Sequence, residues 1–201
     1  MIQADLHVHT NYSADAIISP KTIVNHLHAH PTIKAIAITD HNSLKGYSKV
    51  KKLASPHKDL IIIPGIEIST NEGDILILGV EEEPPKPWTV KNIISFAKER
   101  EGLSIVPHPY RSYGLGDLAR HHDFDSVETL NGASTPSLNK QAAQLAELMQ
   151  LPGVAGSDAH YIEDMWTVYT EIQSSPEVHE ILKAIKRGYV TVGFTKGTIN
   201  L

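Results

Sequence analysis

Nine short apolar runs punctuate the chain, and segments of helical period separate most of them. The runs are IQADLHV (2–8), KAIAIT (34–39), LIIIPGIEIS (60–69), DILILGV (74–80), LSIVP (103–107), SVETL (126–130), GVAGS (153–157), VYTEI (168–172) and YVTVG (189–193). They are rich in Ile, Leu and Val and bounded by Gly, Pro, Asn and Asp, as strands are. Several are almost wholly apolar, the pattern of parallel strands covered on both faces. Amphipathic helical spacing fits 19–30, 44–55, 90–100, 137–150 and 175–187. Ser19-Pro20 supplies an N-cap and a first-turn proline, while Pro152 and Gly188 stand just past two helix ends. Repeated strand-then-helix order predicts an α/β fold. With this many strands in 201 residues, a small barrel is the first expectation and an open doubly wound sheet the second. EEEPPKPW (81–88) reads as a solvated connection inside one domain spanning 1–201.

Composition narrows the chemistry. There is no cysteine, so a disulfide, a thiolate metal site and a nucleophilic thiol are all excluded. Any metal must be held by His, Asp and Glu. The net charge of -5 argues against a general nucleic-acid coat protein. No apolar run approaches the ~20 residues needed to span a bilayer, and MIQADLH lacks a basic n-region. A soluble cytoplasmic protein with no membrane contact is expected.

The histidines and acids are not scattered. His7 and His9 lie two apart on the first strand and project to one face. Asp15 follows in the next loop. Asp40-His41 comes directly after KAIAIT, Glu67 late in PGIEIS, His108 after LSIVP, Glu128 and Asn131 at SVETL, and Asp158 and His160 after GVAGS. Polar residues thus recur at the C-terminal ends of successive strands, where α/β barrels build their active sites. A lone His-x-His pair is more often a surface or core feature than a ligand pair; repetition at one structural position changes that reading. Imidazole with carboxylate suits Zn, Mn or Fe. The donors outnumber the needs of one four-coordinate ion, so two or three divalent ions sharing a bridging carboxylate are expected. His26, His28, His30, His57, His121, His122 and His179 have no such placement and are read as surface residues.

Taken together, DLHVHT, TDHN (39–42), GIEIS (65–69), VPHP (106–109) and GSDAH (156–160) resemble, in order, the motifs of the polymerase-and-histidinol-phosphatase (PHP) domain family. The resemblance runs over essentially the whole chain. It implies a distorted seven-stranded, TIM-like (β/α) barrel with a trinuclear metal site and metal-dependent phosphoester hydrolysis. By the same resemblance His7, His9, Glu67 and Asp158 are ligands of a first metal. Glu67 bridges to a second metal, bound also by His108, and Asp15, His41 and His160 hold a third. Asp40 stands behind them, orienting an imidazole. One departure matters: many members carry a further histidine in the strand after the bridging Glu, and here that strand reads GDILILG. Leu76 takes its place, and Asp74, two residues earlier, is the substitute. Residues 68–107 leave no room for the inserted subdomain of some nucleotide-acting relatives.

The resulting expectation is a phosphoesterase acting on a small phosphorylated substrate, most readily a phosphomonoester, through hydroxide generated at the metals. Nucleic acid beyond nucleotides or short oligonucleotides is not expected. Arg111, directly after HPY, is placed to pair a phosphate oxygen, and Lys196 is a weaker candidate. The alternatives are a metal-dependent amidohydrolase acting on a C–N bond and a non-catalytic metal-binding scaffold.

Overall fold

The computed structural model describes residues 1–195; Lys196 lies outside them. Elements follow in the order β1 (Ile2–Val8), α1 (Pro20–Ala29), β2 (Ile33–Ile38), α2 (Lys45–Ala54), β3 (Ile61–Ser69), β4 (Asp74–Leu78), α3 (Val90–Glu99), β5 (Leu103–Val106), β6 (Ser126–Asn131), α4 (Pro136–Met149), β7 (Gly153–Gly156), β8 (Val168–Ile172), α5 (Val178–Lys186) and β9 (Val190–Phe194). Each of the nine apolar runs forms a strand and each helical segment a helix. Ser19 caps α1 as the sequence indicates, and Thr89 caps α3. Ser19 Oγ accepts from the Thr22 amide at 3.0 Å with Pro20 in the first turn, and Thr89 Oγ1 accepts from the Asn92 amide at 3.2 Å.

The expected seven-stranded barrel is corrected. Among the described residues one sheet of nine strands runs in the order β7-β6-β5-β4-β3-β2-β1-β8-β9. It curls into a nearly closed barrel but is not the all-parallel wheel of a TIM barrel. β1, β2 and β3 pair in parallel, as do β5, β6 and β7. β4 is antiparallel to both β3 and β5, and β8 is antiparallel to β1 and β9. The reason for β4 is the length of its connection. Residues 70–73 make only a tight turn, and a parallel return needs a crossover of a dozen residues or so.

Closure is shared along one edge of β1. Its first half, Ile2 to Ala4, pairs with β8. Its last residues meet the segment that follows β7, where the Asp158 amide donates to the His7 carbonyl at 2.7 Å and the His9 amide to the Ala159 carbonyl at 3.1 Å. Thr170 Oγ1 of β8 accepts from the Ala155 amide at 2.7 Å, tying the two edges.

Two apolar layers hold this shape. An outer one packs Ile23, Leu27, Val50, Ile93 and Leu145 of the helices on Ile36, Ile38, Ile66 and Ile75 of the sheet. An inner one gathers Leu6, Ala35, Ala37, Ile63, Leu76, Leu78 and Ile105 with Ile181, Leu182 and Ile185 of α5. Leu76, at the position where the sequence resemblance leads one to expect a histidine, is part of this inner apolar layer. Burying such side chains stabilises by roughly 1.5–3 kcal/mol each. No helix of the described residues is long and apolar enough to cross a membrane.

Candidate metal centre

Six strand ends converge on one rim. Strict alternation along β1 would put Leu6 and Val8 on one side, but the register shifts between Asp5 and Val8. Leu6 joins the inner apolar layer, Val8 the outer one, and His7 is re-aimed into the rim. The ends of β2 and β3 are stitched together: the Asn42 amide donates to the Glu67 carbonyl at 2.8 Å, which brings His41 alongside Glu67. Because β4 runs backwards, its first residue, Asp74, arrives at the rim where its neighbours end. His108 and Asp158 adopt positive φ of 25° and 55°. Such backbone is strained for these residues and persists because contacts hold it. The His108 amide donates to Glu128 Oε2 at 2.8 Å, and the Asp158 amide to His7 as above.

The geometry at the centre is specific. His7 Nε2 and His9 Nε2 are 3.1 Å apart. Glu67 Oε2 lies 3.3 Å from the first and 3.2 Å from the second, and Asp158 Oδ1 lies 3.3 Å from both. A tetrahedral shell with metal–ligand distances of about 2.0–2.1 Å has donor–donor edges of about 3.3–3.4 Å. These five distances lie close to such edges, and His7, His9 and Glu67 form a group of donors all within 4.8 Å of one another. All four side chains are buried.

Two further groups adjoin it. Glu67 presents its other oxygen, Oε1, to His108 Nε2 at 3.0 Å, and Asp74 completes that group within 4.8 Å. Asp15 Oδ2 lies 3.4 Å from both His41 Nε2 and His160 Nε2 at the outer edge. His9 also stands close to His41 and His160, with ring centroids 4.8 and 4.3 Å away. His41 Nδ1 and His108 Nδ1 are buried without a hydrogen-bond partner. The sequence-predicted donors His7, His9, Asp15, His41, Glu67, Asp74, His108, Asp158 and His160 are thus brought together.

Electrostatics hold Glu67, Asp158 and His9 in charged form and oppose it at Asp74. Burial opposes ionisation of Glu67, but His7 and hydrogen bonds from His108, His7 and His9 keep its carboxyl well below the usual range. Asp158 is likewise held low against burial, first by His7 and then by its hydrogen bond to His9. Burial pulls His9 down, yet its hydrogen bonds to Asp158 and Glu67 push it up to about 9. Asp74 is raised, by burial and by the neighbouring Glu67 charge.

Asp40, Glu128 and Arg111 make the supporting contacts. Asp40 touches none of the imidazoles. Its oxygens accept from the Thr10 amide at 2.6 Å, Thr10 Oγ1 at 2.7 Å and Ser13 Oγ at 3.1 Å, and it is Ser13 that meets His9 Nδ1 at 3.2 Å. Asp40 acts on His9 through a hydroxyl and does not reach the reacting space. Glu128, a strand-end acid in the sequence, supports His7. It lies with Oε1 3.0 Å from His7 Nδ1, and Gly156 leaves room for that pair, since a Cβ there would run into His7 and Glu128. Arg111 reaches past His108: its Nη1 pairs with Asp158 Oδ2 and lies 3.3 Å from Asn131 Oδ1.

A cavity of about 530 Å³ opens above these donors, walled also by Asn42, Ser69, Thr70, Ser112 and Tyr113. A larger cleft of about 670 Å³, lined by Lys51, Lys98, Arg100, Lys183 and Lys186, lies elsewhere and includes no group of metal donors among the described residues. Donor chemistry, not volume, identifies the site.

Comparison with known proteins follows the same lines. The family model described as PHP-associated matches residues 136–190. An uncharacterized Methanocaldococcus jannaschii protein, MJ1587, is 34% identical over 163 residues, covering 75% of this chain and 94% of its own. A two-domain Bacteroides vulgatus protein, described as containing a predicted PHP-like metal-dependent phosphoesterase, superposes with a TM-score of 0.81 at 17% identity. That match covers 96% of this chain and 64% of the two-domain protein, so this chain spans under two thirds of it. A structure described as an amidohydrolase from Chromobacterium violaceum, with sulfate and no metal, gives a TM-score of 0.66 at 16% identity, covering 80% of this chain and 89% of that one. At these identities the two structures speak to fold alone.

Proposed function

The chain belongs to the PHP domain family, and from that membership we propose a single-domain, metal-dependent phosphoesterase whose preferred substrate is a small phosphomonoester. The observation that carries this reading is the cluster in which Glu67 Oε2 and Asp158 Oδ1 each lie 3.2–3.3 Å from both His7 Nε2 and His9 Nε2, with Glu67 turning its second oxygen to a neighbouring group. One carboxylate facing two groups of donors is the arrangement that lets divalent ions share a ligand. His7, His9, Glu67 and Asp158 would hold one ion; Glu67, His108 and Asp74 a second; Asp15, His41 and His160 a third. Mixed imidazole and carboxylate ligands suit Mn, Zn or Fe. Such ions supply an activated water and a positive clamp on phosphate oxygens.

The protein's own groups do the positioning. Glu128 holds the His7 ring through Nδ1 and leaves Nε2 facing the donors. Ser13, itself held by Asp40, does the same for His9. Arg111 is one-third exposed at the cavity wall and carries guanidinium donors free to meet a phosphate oxygen. Asn42, Ser69, Thr70 and Ser112 line the same space as neutral hydrogen-bonding groups. A cavity of about 530 Å³ accommodates a small ester, and the net charge of -5 gives no general attraction for a polyanionic strand.

The test is a panel of phosphomonoesters, phosphodiesters, short oligonucleotides and amide substrates, assayed after stripping and adding back Mn, Zn, Fe or Mg. Metal-dependent turnover of a monoester above every diester is expected. A diester or oligonucleotide turned over faster overturns the substrate class, and turnover of amides alone moves the protein to C–N bond chemistry.

A further inference from the structure

We propose a second, separate site for a divalent transition ion at the far end of the barrel, formed by His28, His57 and Asp59. The sequence gives these histidines no strand end and no carboxylate partner, yet the fold supplies both a partner and a common location. His28 lies in the last turn of α1, and His57 and Asp59 lie in the link from α2 to β3. One donor atom from each falls within 4.8 Å of the others, and the two imidazole centroids are 4.2 Å apart. Two imidazoles and a carboxylate suit Zn²⁺, Ni²⁺ or Cu²⁺ and leave a position for water.

Placement separates this group from the metal centre above. α1 and α2 run back to the starts of β2 and β3, whereas Glu67 and His41 stand at the other ends of those strands. Nearby helix C-termini favour a cation through their unpaired carbonyls. A cation already answers to that field: Lys34 Nζ donates to the His28 carbonyl at 2.8 Å and lies 3.5 Å from Asp59 Oδ2. A divalent ion would take over Asp59 from Lys34 and add the two imidazoles. The present donor spacing is wider than a closed shell, and His28 and Asp59 are exposed side chains that can rotate to close it. The ion would clamp the end of α1 to the α2–β3 link.

Equilibrium dialysis against Zn²⁺ alone, with bound metal counted by elemental analysis, tests this on the full chain. The wild type is expected to hold one equivalent more than His28→Gln or His57→Gln. Loss of either imidazole should weaken that equivalent by at least about tenfold. Hydrolysis by both variants should match the wild type, because the site is remote from the catalytic rim. Lys34→Met should tighten the extra Zn²⁺ by up to about fivefold, the size of an exposed ion pair. Equal Zn²⁺ equivalents and affinities in the wild type and both histidine variants overturn the proposal, as does a Lys34→Met protein that binds Zn²⁺ no more tightly. The Zn²⁺ equivalents and affinities are read without phosphoester hydrolysis, so they stand apart from the proposed activity.

Discussion

Glu128 Oε1 sits 3.0 Å from His7 Nδ1 in a fully enclosed pair, while its other oxygen takes the His108 amide at 2.8 Å and Asn131 Nδ2 at 2.9 Å. One carboxylate therefore orients donors from two strands. Glu128→Gln keeps the shape and removes the charge; metal affinity is expected to fall about 10–100-fold, as for other carboxylates behind a ligating histidine. Glu128→Ala should in addition destabilise the fold by about 1–3 kcal/mol, the cost of leaving a buried donor unpaired. Metal content by elemental analysis and denaturant unfolding read the two effects separately. Full metal occupancy in Glu128→Gln counts against the positioning role.

His9→Ala and Asp158→Ala are expected to abolish hydrolysis with the fold mostly intact. Both sit at the rim and not in the apolar layers. Loss of a bound ion lowers the melting temperature as well, since binding stabilises the native state. His26→Ala, an exposed residue of α1, is the matched control and should leave turnover unchanged. Near-normal turnover in either rim variant refutes the ligand assignment.

Asp74→Asn should empty the second site first. Asp74 is close to Glu67 and His108, in a strand whose next inward side chain is Leu76. Anomalous scattering from crystals of metal-loaded wild type and variant gives the occupancies. Equal occupancy at every position would mean that Asp74 is a bystander.

Arg111→Ala should cost about ten- to a hundredfold in kcat/KM, the loss of one charge-assisted pair. Lys at this position should rescue only partly, because it keeps the charge but not the fork. Arg111 also pairs with Asp158, so metal content must be measured beside the kinetics. A drop in kcat/KM at unchanged metal content assigns the arginine to substrate; unchanged kcat/KM removes it from the site.

Proton and metal compete for His9. Its pKa is raised from 6.5 to about 9, so in metal-free protein the protonated ring contributes stability that is fully present below 6.5. That contribution is lost as the pH rises through about 9. Metal needs the neutral ring, so affinity should climb over the same window. Melting of chelator-stripped protein at intervals from pH 6 to pH 10, paired with metal titrations, checks both signs. A flat metal affinity across that range would show that His9 is not a ligand.

The sequence by itself determined the elements and most of the donors. Among the described residues apolar runs mark every strand, helical period marks every α-helix, and the five rim histidines, Glu67 and Asp158 stand out by recurring just where strands end, with Asp15 in the loop after β1. These are local properties, carried by composition and spacing within a few residues. Only the tertiary structure decided which atoms meet. His7 and Glu128 are separated by 121 residues, and their contact follows from the pairing of β6 with β7 and the hydrogen bonds of the segment after β7 to the end of β1. Asp74 reaches the rim because β4 is reversed by a short turn. Ser13 stands between Asp40 and His9, and Arg111 extends to Asp158, because loop paths set those distances. His28, His57 and Asp59 become neighbours only when two helices pack side by side. Periodicity tells a side chain which way to face; strand pairing across the barrel tells it what it faces.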